Sequence, residues 1–124
     1  MGYGSKTIHL IFNLWYPTFN HIPAYDDHLP QVDHIFPKSR LRNKYPKNIV
    51  NQLANCMLLT REENGAGGKK DLEPAEWFDS KPKDYLEKHL IPEDKNLWKM
   101  DKFEEFIAVR KELIKAKFSY LLLN

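Results

Sequence analysis

Residues 31 to 42 read QVDHIFPKSRLR, and no other stretch constrains the fold as strongly. Val32, Ile35 and Phe36 make a short apolar run that ends at Pro37, the pattern of a strand stopped by a residue that cannot donate to a ladder. Asp33 and His34 sit side by side inside that run. Adjacent strand residues face opposite sides, so the two can serve one site only where the strand ends or twists. Pro37 places such an end three residues beyond His34. Lys38, Arg40, Arg42, Lys44 and Lys47 then follow within ten residues that contain no acid.

The rest of the chain reads as a frame for this segment. Thr7 to Tyr16 predicts a short buried helix stopped by Pro17, and the proline-rich PTFNHIPAYDDHLP an irregular loop. Gln31 to Phe36 is the first strand. The basic connection 38–47 has room for one helical turn, and Asn48 to Ala54 for another. CMLLT, Cys56 to Thr60, is a compact apolar run suited to a second strand. Thr60-Arg61-Glu62-Glu63 has the form of a capping box, so a helix should begin at Thr60 and carry Asn64 in its first turns. Gly65, Gly67 and Gly68 make that helix short or broken. Pro74 suits the first turn of a helix through Trp77 and Phe78. Lys83 to Leu90 reads as another short helix. The last, over 101–123, is the clearest: Phe103, Phe106, Ile107, Leu113, Ile114, Phe118 and Leu121 follow helical spacing. The fold class is therefore α+β, with a two-stranded ribbon surrounded by helices.

Composition narrows the options. The chain has 124 residues, 42% apolar and 29% charged, which suits one soluble globular domain. A lone cysteine, Cys56, excludes an internal disulfide and any zinc site built on several cysteines, and fits a reducing, cytoplasmic setting. The apolar stretch from Ile8 to Tyr16 is too short to span a bilayer and is interrupted by His9 and Asn13. The net charge of +2 does not announce a nucleic-acid binder; the acid-free basic run after His34 says more. The abrupt start, MGYGSK leading into TIHLIFNLWY, fits a terminal domain of a larger protein or a short natural chain.

Two strands and a capped helix can bring Asp33, His34 and Asn64 together. A carboxylate oxygen and an amide oxygen are hard ligands that suit Mg²⁺ first and Mn²⁺ second, with several waters retained. A histidine beside them titrates near neutrality and can take a proton from an attacking water. Lys69 and Lys70, with Lys38, Arg40 and Arg42, would hold a polyanionic backbone.

VDHIFPKSRL, followed by NIVNQLANCMLLTREENGAGGKKDLEPAEWF, resembles the HNH motif of the His-Me finger (ββα-metal) nucleases. It is especially similar to the HNH domain at the C-terminal end of ParB-like restriction proteins of the GmrSD type. The motif core covers about residues 31–78 of a single domain spanning 1–124. FNLWYP resembles the helix that precedes it, while the C-terminal helix carries no signature. The resemblance implies a ββα-metal fold and a DNA endonuclease acting in restriction of foreign DNA; a single domain of this kind also fits the cutting half of a protein whose recognition half lies on another domain. The same resemblance implies His34 as general base, Asp33 and Asn64 as metal ligands, and Asn55 as the middle asparagine that braces the loop between the strands. Lys69 or Lys70 stands where a basic residue follows. NGAGGKKDLEP is longer and richer in glycine than the short run usual there.

Other residues read more plainly. His9 belongs to an apolar helix; His21 and His28 lie in the proline-rich loop; His89 ends a helix; Trp15, Trp77 and Trp98 are core; Cys56 is a small buried residue of the second strand. The rival functions are a non-cleaving HNH-like binding module and an RNase or toxin-type nuclease. A histidine-rich zinc site lacks a second histidine near Asn64.

Overall fold

The computed structural model describes residues 11–12, 15, 31–60, 63 and 68–122. The chain divides into two compact units, Met1–Leu72 and Glu73–Asn124. The Asp-His segment and the strand that follows it fall in the first unit, and the PAEWF end of the motif falls in the second.

In the first unit, β1 (Gln31–His34) pairs antiparallel with β2 (Cys56–Leu59), with His34 opposite Cys56 and Asp33 opposite Met57. The fold is α+β, as the alternation of strand and helix signals predicted. β2 is buried along its whole length, so its continuous apolar run packs on both faces rather than alternating. β1 is graded instead, exposed at Gln31 and buried at His34. It stops two residues short of the expected Phe36. Ile35 still donates to the Asn55 carbonyl at 2.8 Å, but the chain bends at Ile35, and both Ile35 and Phe36 plunge into the core. His34 is thus the last residue of the ladder, where the strand's two-sided rule lapses.

The connection between the strands is built from single turns. α1 (Lys38–Leu41) follows Pro37 and buries Leu41; α2 (Lys47–Val50) follows Pro46 and buries Val50; a 3₁₀ turn over Leu53–Asn55 leads into β2. Proline before each α-turn suits the extended entry and has no N–H to satisfy. Of the expected helix over Thr7–Tyr16, Ile11, Phe12 and Trp15 are described, all helical; the rings of Phe12 and Trp15 meet edge to face at 5.3 Å. The proline-rich loop lies outside the described residues. The capping box is present: Thr60 N donates to Glu63 Oε1 at 3.0 Å, and Glu63 N donates to Thr60 Oγ1 at 3.2 Å.

The second unit opens with α3 (Pro74–Phe78), whose own reciprocal cap joins Glu73 and Glu76. α4 (Lys83–Lys88) ends through Leu90 at φ 54, a left-handed position usually given to glycine. Two 3₁₀ turns, Lys95–Trp98 and Met100–Lys102, precede α5 (Phe103–Leu122). Phe103, Phe106, Ile107 and Phe118 form the buried stripe of α5, and the helix is broken at Phe118 by φ −107 and ψ 16. Arg110 lies in the same stripe at 0% exposure, its Nη2 donating to the His89 carbonyl at 3.0 Å. Trp98 packs on Phe78 and donates Nε1 to the Pro92 carbonyl at 2.8 Å. Among the described residues no helix is long and apolar enough to cross a membrane.

Candidate active site

The end of β1 is where polar groups enter the core of the first unit. His34 is 7% exposed. Its Nε2 lies 2.8 Å from Asn51 Oδ1. An amide oxygen only accepts, so this bond requires the ring proton on Nε2. Burial pulls the His34 pKa below the ordinary histidine value of 6.5; the Asn51 bond and the charge of Asp33 oppose this, and the charges of Lys38 and Lys69 reinforce it. The ring is therefore neutral at pH 7, the form in which it can accept a proton.

Asn55 is fully buried and bonds both walls of the connection. Its Oδ1 accepts from Phe36 N at 2.8 Å, while its Nδ2 donates to the Phe36 carbonyl at 3.2 Å and to the Val50 carbonyl at 2.8 Å. These are main-chain bonds to the segment just after His34, the bracing contacts anticipated for the middle asparagine.

Lys69 is found in an unexpected place. It was grouped with the surface cations, yet it is 0% exposed. Its Nζ donates to the His34 carbonyl at 2.7 Å and lies 3.5 Å from Asp33 Oδ2. Burial lowers its pKa, and Asp33 and Asp71 pull it back up. An ammonium held this way underpins the end of β1 and is not available to grip a flanking phosphate. Lys70, next to it, is exposed and adopts φ 45. Asp33 is partly exposed, with 26% of its side-chain surface open, while its Oδ2 is buried and has no hydrogen bond.

The basic run behaves as a surface. Lys38, Arg40, Arg42, Lys44 and Lys47 are all exposed, and Lys38 is near enough for its charge to act on His34. The predicted ligand Asn64 lies outside the described residues, so the structure brings together Asp33, His34, Asn55 and Lys69 and leaves Asn64 unplaced.

The family model for the C-terminal domain of GmrSD restriction endonucleases matches residues 4–117. The chain belongs to this family. No curated protein and no solved structure gives a match. This GmrSD C-terminal domain is thus a restriction-endonuclease-related nuclease domain, and the match runs through both compact units rather than stopping at the motif.

Sequence reading missed Asn51, which touches the candidate base directly. It lies one residue past α2, in the NQLAN turn, where an asparagine is unremarkable as a helix end. The available signal was its spacing: four residues before Asn55, across a turn that must pass the end of β1. His89, expected at a helix end, is buried in the second unit, its pKa pushed down to about 3 by burial first and then by Arg110 and Lys88. That is a neutral packing histidine.

Proposed function

We propose that this domain hydrolyses phosphodiester bonds in DNA, with His34 as general base, in restriction of foreign DNA. The observation that carries the reading is a neutral, buried His34 at a strand end, its Nε2 held by an amide oxygen, beside Asp33 and ahead of an exposed cationic connection.

His34 Nδ1 takes a proton from a water as that water attacks phosphorus. The new P–O bond forms in line with the P–O3′ bond that breaks, so the products carry a 5′ phosphate and a 3′ hydroxyl. Asn55 holds the main chain on either side of the site, and Lys69 fixes the His34 carbonyl from below. Lys38, Arg40 and Arg42, with Lys70, hold the flanking backbone. Such contacts are independent of sequence, because they fall on phosphates and not on base edges. Base recognition then belongs to a partner domain.

The donor set fits a hard divalent cation. Asp33 offers a carboxylate with 26% of its side-chain surface open, its buried Oδ2 already ion-paired with Lys69 Nζ at 3.5 Å, and Mg²⁺ needs only one or two carboxylates when it keeps its waters. Among the described residues no group of three or more His, Cys, Asp and Glu is placed to hold a metal. Asp33 and Asn64 would hold the ion, Mg²⁺ in preference to Mn²⁺. When bound, it would neutralise charge on the phosphate and on the leaving oxygen.

The test is incubation of the purified chain with plasmid DNA, and in parallel with RNA, in Mg²⁺, Mn²⁺ or EDTA. DNA cutting that EDTA stops is expected. His34→Ala should lower the rate by about 10²- to 10⁴-fold with DNA binding retained. Because the base is the neutral ring and burial depresses its pKa, the rate should rise with pH through a midpoint below 6.5 and then level off. Cutting of RNA alone, or an unaltered rate in His34→Ala, would defeat the proposal.

A further inference from the structure

We infer that Asn51 is a positioning residue for His34: its side-chain oxygen fixes the ring as the Nε2–H tautomer and so assigns proton acceptance to Nδ1. The inference rests on the general-base reading above, and goes beyond it by naming the nitrogen and the group that selects it.

The geometry is local and well anchored. The Asn51 Oδ1 to His34 Nε2 distance of 2.8 Å is that of a direct hydrogen bond, across 17 residues of chain. Imidazole is symmetric enough to present either nitrogen, so its tautomer is set by what the other nitrogen meets. Here Nε2 meets an acceptor. A donor at the same place would reverse the ring and direct a proton, in place of a lone pair, at the water.

Asn51 is itself held on both sides of its backbone. Its N–H donates to the Lys47 carbonyl at 2.8 Å, and its carbonyl receives Cys56 Sγ at 3.7 Å. The residue before it, Val50, offers its carbonyl to Asn55 Nδ2. Asn55 also grips the main chain at Phe36, two residues after His34. One buried side chain therefore ties the turn that carries Asn51 to the strand end that carries His34. Gln52 adds a further bond from its Nε2 to the Ile49 carbonyl at 2.8 Å, stiffening the same turn. Bracing by Asn55 acquires a purpose in this arrangement: it keeps the amide oxygen of Asn51 in register with the ring.

Two readouts test this on the full chain. The first is the ring-nitrogen chemical shifts of ¹⁵N-histidine-labelled protein, with the His34 signals assigned by their loss in His34→Gln. Above the His34 titration the pattern should be that of an Nε2–H ring, and Asn51→Ala should shift it toward a tautomer mixture. The second is the kcat and KM of plasmid cleavage. Asn51→Ala should lose about 10- to 100-fold in kcat, by analogy with the loss of an outer-shell partner from a metal-bound histidine, with KM little changed. Asn51→Asp, which keeps an accepting oxygen, should restore much of it. An Nδ1–H ring in the unmodified chain overturns the inference, whether or not the Asn51 variants fold. So does an Asn51→Ala enzyme with the parental kcat. A parent chain that cuts nothing defeats the nuclease reading alone, since the nitrogen shifts still decide the role of Asn51.

Discussion

At the scale of single residues, the site is organised by side chains that local pattern does not mark. Asp33 and His34 were legible because two ionisable groups inside an apolar strand demand a reason. Asn55 was legible only through family resemblance; Lys69 was legible as a cation for a polyanionic backbone but not as the buried partner of the β1 end, and Asn51 was not legible as a site residue at all. Lysine reads as solvated by default, and its burial here depends on a carboxylate and a carbonyl 36 and 35 residues earlier in the chain. Asparagine at a helix end reads as a turn residue, and its contact with His34 exists only in three dimensions. Asn55 gives the sharpest test of how much such residues matter to folding. Asn55→Ala removes three side-chain bonds from buried main-chain groups, each costing roughly 1–3 kcal/mol if left unmatched. A loss of about 3 kcal/mol in urea denaturation is expected. A variant as stable as its parent would mean that the turn does not depend on this brace.

Among elements, the reading succeeded where signals are short-range and failed where tertiary contacts decide. Proline marked the start of α3 as expected, and it also stands at the entry to α1, α2 and α4, where it was not taken as a helix signal. The apolar run of CMLLT gave β2 to within one residue. The end of β1 was misjudged because Ile35 and Phe36 are as apolar as strand residues, yet they serve as core anchors after the bend. In α5 the predicted stripe is buried at Phe103, Phe106, Ile107 and Phe118 and half-buried at Leu113 and Ile114, and Arg110 fills a position that charge assigned to solvent. The Thr60 cap is the clearest local device, with both reciprocal bonds present. Thr60→Ala should cost about 1 kcal/mol, read as a lower urea midpoint at constant m-value. A change in m-value instead would indicate that the cap restrains the unfolded chain or that unfolding is not two-state.

For the whole molecule, charge is distributed more informatively than its sum. The first unit has nine Lys and Arg against six Asp and Glu, the second ten against eleven, so the modest total of +2 conceals a basic unit joined to a slightly acidic one. Five of those nine cations form the acid-free connection that leaves His34, all of them exposed, whereas Lys69 is buried beneath the strand end and drops out of the binding surface. The DNA path should therefore follow the 38–47 connection. A phosphate seated at His34 has Lys38 as its nearest basic neighbour in the chain, with Arg40 and Arg42 on the turn beyond. Each backbone contact releases condensed counterions, so each one lost should reduce the slope of log K against log salt by about 0.9 for duplex DNA. The measurement is a salt titration of duplex binding by Arg40→Ala with Arg42→Ala, made on a His34→Ala background so that the DNA survives. A slope shallower by up to about 1.8, with affinity lost equally across unrelated sequences, is expected if both arginines touch phosphate. Loss confined to one sequence would instead make the pair base readers. An unaltered slope and affinity would reduce the connection to a solvated surface and shift the search to Lys70, the exposed cation beside the buried ion pair.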